Sequence, residues 1–165
     1  MMINPILPKN IDNNYNGSKI AIAILAIITI VKLLMGINIG GFNPFVKTEY
    51  ILSHIDGIPL DTYPIEASKT IISMAQSWGL DMLILSCLSI LIMLKYRAAI
   101  PIMFVIYLCE NFIREAPALM RIFEKFITGT PLSTAAIINL SLIALLLIGL
   151  ILSIYNPLAK ADKQK

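Results

Sequence analysis

The chain has little of what most catalytic and metal-binding proteins are built from. Among 165 residues there is one histidine, His54, and there are two cysteines, Cys87 and Cys109, each inside an apolar run. One histidine cannot supply a haem-ligand pair, and two isolated cysteines with no C-x-x-C spacing give neither a zinc site nor a thiol-redox motif. No metal site is expected, and the two cysteines read as small apolar residues buried in helices. Charged residues make up only 14% of the chain, with a scattered net charge of +3. That balance carries no nucleic-acid signal. No Ser/His/Asp set, P-loop or dinucleotide fingerprint is present, so the reading leans away from an enzyme and names no cofactor. The absence of an internal repeat argues against a transporter built from inverted halves.

What is abundant is apolar sequence. Hydrophobic residues reach 58% of the chain and the mean hydropathy is +0.81. Soluble domains hold just under half apolar and about a quarter charged residues. Four runs approach the roughly 20 residues that cross a ~30 Å hydrocarbon core. They predict spans over about 18–35, 70–94, 98–116 and 133–155, with an external segment over 36–66. Ser18 is a candidate cap for the first, and the "GTP" break at Gly129–Pro131 precedes the last. The first run has no small-x-small cleavage site after it and Lys32 interrupts it, so it is expected to stay as an uncleaved helix. The expected fold is all-α: one integral membrane domain, a transmembrane four-helix bundle running up-down-up-down, with a short external amphipathic helix.

Basic residues orient it. Lys95 and Arg97 sit in a tight link between the second and third runs, Lys9 and Lys19 precede the first, and Lys160, Lys163 and Lys165 follow the fourth. The excess of lysine and arginine on one side predicts an inner-membrane protein with both termini cytoplasmic.

In the external segment, "FNPFVKTEYILSHIDG" predicts a surface helix over Pro44–Asp56. Asn43 is its expected cap and Gly57 its C-terminal glycine, with Phe45 or Val46, Ile51, Leu52 and Ile55 facing the bilayer or the bundle. His54 and Asp56 are its candidate site residues. With no second histidine or cysteine near it, His54 reads more simply as an interfacial side chain.

The stretch "YLCENFIREAPALMR" carries the sharper question, because Glu110, Asn111, Arg114 and Glu115 follow directly on an apolar run. Counted at 1.5 Å per residue from the basic ends, Lys32, Asp81 and Glu110 fall about 20 Å up their helices, with Asn139 slightly higher. Lys32, Asp81, Glu110, Asn111, Arg114 and Asn139 therefore form a candidate buried polar layer. Glu110 would point inward and pair with Arg114, Lys32 or Asp81, since an unpaired charge at that depth is costly. The layer reads equally as a ligand or proton site and as a clamp that fixes helix register.

The stretch Leu94–Glu115, "LKYRAAIPIMFVIYLCENFIRE", resembles a pattern in small bacterial four-span integral membrane proteins of unknown function. It has a basic hairpin, an apolar helix opening through Ile-Pro, and an embedded glutamate. In architecture, and in a lysine near the end of the first span, the chain is also similar to the DoxX-like superfamily. That resemblance implies quinone- or sulfur-linked membrane redox chemistry, but no catalytic residue carries over. Two function classes follow. One is an accessory subunit or small-ligand-binding bundle. The alternative is a redox or small-solute and proton transport protein. The expected partners are the lipid bilayer and either other membrane subunits or further copies of the chain, with no nucleic acid.

Overall fold

The computed structural model describes residues 6–8, 10–128 and 134–155; within it, side chains at 114–126, 128 and 134–136 lie outside the described residues. The described residues are helical, with five α-helices and two short 3-10 turns and no strand element. The helices are α1 (Lys19–Ile39), α2 (Thr48–His54), α3 (Ile65–Lys95), α4 (Ile100–Thr128) and α5 (Thr134–Ile154). Three are long and apolar enough to cross a membrane: α1, α3 and, over Ile137–Ile154, α5.

The chain falls into two compact units. One is Ile28–Ile90, and the other joins the residues up to Ile27 with those from Leu91 onward.

In the first unit, α1 packs on α3 through glycine. A Cβ on Gly36 would stand 2.9 Å from the Gly79 carbonyl oxygen, and one on Gly79 would strike the Gly40 backbone. Gly36 and Gly40 form a G-x-x-x-G spacing, the pattern that lets two helix backbones approach closely. Apolar side chains alone could not hold α1 and α3 this close. The first span was expected to end near residue 35, where the external segment was to begin. Instead α1 runs on to Ile39, because those glycines are covered by α3 and not exposed to water. The helix stops at Gly41, which has φ +76°. Phe42 N–H bonds the Ile37 carbonyl at 3.0 Å and Gly41 N–H that of Asn38 at 3.3 Å, the Schellman pattern that a glycine makes possible. Further down, the Thr29 and Ser89 hydroxyls bond each other at 2.7 Å.

The segment after α1 folds onto the end of this pair that holds Ile39 and Ala75. Ile39, Ile51, Leu52 and Ala75 form a buried cluster, flanked by Val46, Ile58, Leu60, Ile71, Ile72 and Trp78. Trp78 therefore packs against the cap. The external helix is shorter than expected, Thr48–His54 in place of Pro44–Asp56. Asn43 does not cap it. Its side-chain oxygen accepts the Phe45 N–H at 2.9 Å and its amide donates to Asn38 at 2.7 Å, which holds residues 43–45 in a turn. Thr48 starts the helix and anchors it by donating its hydroxyl to the Ile39 carbonyl at 3.0 Å. Ile51 and Leu52 are buried, while Phe45 is 93% and Ile55 68% exposed.

In the second unit, Ser18 caps α1 by accepting the Ile20 N–H at 3.2 Å. One face of α4 is buried: Ile100, Met103, Phe104, Tyr107 and Asn111, at helical spacing. Gly149 of α5 lies where a Cβ would collide with the Phe104 ring, so the start of α4 packs against the last turns of α5, and the two run antiparallel. Ser18 N–H bonds the Leu152 carbonyl at 3.2 Å, and Ala98 N–H bonds that of Asp12 at 3.1 Å. The segment before α1, the Lys95–Arg97 hairpin and the end of α5 thus share one end of this unit. Tyr15 lies there too. Burial pushes its phenol pKa well up, so it stays protonated and donates to the Ser18 carbonyl at 3.3 Å.

Both cysteines, expected to be buried, are free and exposed on their helices. An apolar thiol costs nothing on a surface that faces other apolar groups.

Candidate functional site

The members of the expected polar layer differ in burial. Lys32 is 1% exposed and engaged with other groups of the protein. Asn111 is fully buried and donates its amide to the Tyr107 carbonyl at 2.7 Å and to Glu110 Oε2 at 3.0 Å. Glu110 and Asn139 are half-buried. The side chain of Arg114, like that of Glu115, lies outside the described residues, although the backbone there is helical. Asp81 is the correction: it is exposed and has no hydrogen-bond or ion-pair partner among the described residues.

Asp81 would be level with Lys32 only if α1 and α3 met the basic ends at equal depth. Contacts within the first unit set a different register. Gly36 lies beside Gly79 and Leu83, and Thr29 bonds Ser89. Lys32 is therefore level with Ser86, five residues or about 7 Å below Asp81 along α3. In addition, α4 runs past the expected end of the third span, near residue 116, to Thr128, with Pro117 inside it. The charges of "ENFIRE" sit in the middle of a helix and do not mark its end.

A cavity opens elsewhere, in the segment that follows α1. A hollow of about 920 Å³ is bounded by α2, the link from Gly57 to Tyr63 and the first two turns of α3. Ile58, Leu60 and Ile72 supply apolar surface, with Tyr50, Tyr63 and Ile65 around them. Lys47, Lys69, Glu49 and Asp61 add two charges of each sign. Lys69 is bridged to Glu66 at 3.1 Å, an exposed i,i+3 pair of small energetic weight.

Local hydrogen bonds shape the walls. Gly57, with φ +71°, turns the chain so that Ile58 N–H reaches the Leu52 carbonyl at 2.9 Å. Thr62 donates its hydroxyl to the Pro59 carbonyl at 2.8 Å, and Ser68 donates across from α3 to the Leu60 carbonyl at 2.7 Å. These bonds tie the link to both helices, so the hollow is preformed.

His54 lines it. Its ring stacks on that of Tyr50, with centroids 4.3 Å apart and planes 18° from parallel. Nδ1 lies 2.7 Å from Ser53 Oγ and 3.2 Å from the Tyr50 carbonyl, leaving Nε2 without a hydrogen bond among the described residues. The ring is held in orientation through one nitrogen while the other stays available to a ligand. The Ser53 hydroxyl donates back to the Glu49 carbonyl at 2.8 Å. Asp56, the other candidate, is exposed and does not line the hollow. The sequence pointed to His54 through its place on an amphipathic helix. It gave no sign that Tyr63, Ile65 and Lys69 would close around it, because that requires the 57–63 link to fold back on α3.

No protein-family model, curated protein or solved structure matches the chain.

Proposed function

We propose that this is a four-span inner-membrane protein with both termini cytoplasmic, acting as a non-enzymatic binding subunit that takes a small ligand on its external side. The observation that carries the reading is the preformed hollow around His54. Its volume falls within the roughly 300–1,000 Å³ of small-molecule sites, and it pairs apolar walls with a few oriented polar groups. Stacked rings and an available Nε2 suit a flat ligand with a hydrogen-bonding group.

The topology is supported by helix lengths. At 31 residues α3 is about 46 Å long and exceeds a ~30 Å hydrocarbon core by roughly 16 Å. With Lys95 at the cytoplasmic boundary, the excess lies at the end carrying the cap and the hollow. Phe42 and Phe45, exposed just past the end of α1, suit the interface, where aromatic rings anchor. The shared end of the N-terminal segment, the basic hairpin and α5 agrees with an even number of crossings. Reporter fusions after Gly57 and at the C-terminus are expected to read opposite sides; matching signals would reject the topology.

Because His54 is the sole histidine, its imidazole signals in NMR spectra report on the hollow alone. In nanodiscs, a fragment set of benzoate, phenol and indole derivatives is expected to shift those signals at millimolar concentration. Tyr50→Ala is expected to weaken the response at least severalfold. Silence across the set would remove the ligand-binding reading. The redox or transport alternative needs the ionisable groups of the spans on one path, and the exposed position of Asp81 takes away one of them.

A further inference from the structure

We infer that the outward face of α3 is a docking surface for a spanning helix of another membrane protein, and that the partner helix carries a lysine or arginine that meets Asp81. The inference does not depend on the hollow, which uses only the first two turns of α3.

Met74, Ser77, Asp81, Ile84, Leu88 and Leu91 follow one another at alternating steps of three and four, the spacing that keeps a stripe on one side of a helix against a neighbour. All six are exposed, Ile84 at 58%. The apolar members would be equally at home against lipid, so they do not by themselves call for a partner. Asp81 does. It lies 14 residues from Lys95, about 21 Å up the helix and within the outer third of a ~30 Å core. It has no partner among the described residues. Carboxylates on spanning helices face other protein and pair there, because lipid offers no compensation. Ser77, one turn above, is small and leaves room for a neighbour's backbone; its hydroxyl is turned back to the Ser73 carbonyl at 3.0 Å.

Charge complementarity selects the occupant. A second copy packing symmetrically through this stripe would set Asp81 near its own equivalent, which is repulsive. Lys32, on α1, is buried and cannot meet Asp81 of a second copy. A basic residue on a different protein completes the site.

The test uses the full-length protein in phosphatidylcholine liposomes and a synthetic spanning peptide of about 24 leucine and alanine residues. The peptide carries one lysine at the depth of Asp81, and its control has leucine there. Association is read by energy transfer. The lysine peptide is expected to bind wild type about tenfold tighter than the leucine peptide does, a difference of about 1.4 kcal/mol. Asp81→Leu should abolish the preference, Asp81→Asn should keep part of it, and Ile84→Ala should weaken both peptides alike. Equal binding of the two peptides to wild type overturns the inference. So does self-association of the wild-type protein that Asp81→Leu abolishes, since that would make a second copy the occupant.

Discussion

Replacing Gly79 by alanine should destabilise the protein by about 2–3 kcal/mol, and leucine there should prevent folding. The added Cβ meets the backbone of Gly40, not the end of a flexible side chain, so nothing local can give way. Overpacking a well-packed contact costs about 1–3 kcal/mol even where side chains can adjust. Here α1 and α3 would have to separate, which also draws Ile39 away from Ala75 and loosens the cap cluster. Gly57→Ala is the informative control. It has open space around it but a φ of +71°, so it should cost only about 1 kcal/mol from backbone strain. Thermal unfolding in detergent separates the two. A Gly79→Ala protein as stable as Gly57→Ala would mean that the helices are not in backbone contact.

The second large effect is expected at Lys32. A lysine 1% exposed has lost its water and depends on the groups around it. Lys32→Ala removes those interactions and leaves a void where three methylenes and the ammonium stood. Breaking a buried charged interaction costs about 3–5 kcal/mol in soluble proteins, and less in membranes, where the unfolded reference also finds partners. A loss of about 2–4 kcal/mol is expected for alanine. Lys32→Met fills most of the volume without a charge and should recover at least part of that. If methionine is instead as damaging as alanine, the ammonium's interactions dominate over packing. Asp81→Asn, by contrast, should leave the unfolding temperature of the isolated protein nearly unchanged, because the carboxylate touches nothing described within the chain.

Much of the helical layout was legible in the residues, and the errors have identifiable physical causes. Ser18 as a cap, the long apolar runs and the tight basic link at Lys95–Arg97 depend on neighbours in sequence, and local chemistry decides them. The end of α1 was misplaced because glycine has two opposite meanings. In water Gly36 and Gly40 weaken a helix, whereas against another backbone they are the reason it can pack. Sequence spacing could have signalled this, since the pair has the G-x-x-x-G interval. Asn43 was assigned to the wrong turn because asparagine caps helices and Asx turns with the same oxygen, and only the partner N–H tells which.

The sequence by itself determined that the chain is helical and rich in segments fit to cross a membrane, because hydropathy and length are sums over consecutive residues. It also determined which polar residues would sit inside those segments. Tertiary structure alone decided which of them are covered. Lys32 and Asn111 are buried while Asp81 faces outward. For Lys32 and Asp81 that depends on rotation about each helix axis and on the register between α1 and α3, which the glycine contact at Gly36, Gly40 and Gly79 sets; for Asn111 it depends on which face of α4 is buried. A shift of one residue turns a helix by 100°, enough to exchange a buried side chain for an exposed one. The hollow beside His54 is likewise a product of long-range closure. Its walls come from three segments that meet only once Ile51 and Leu52 have packed on Ile39 and Ala75.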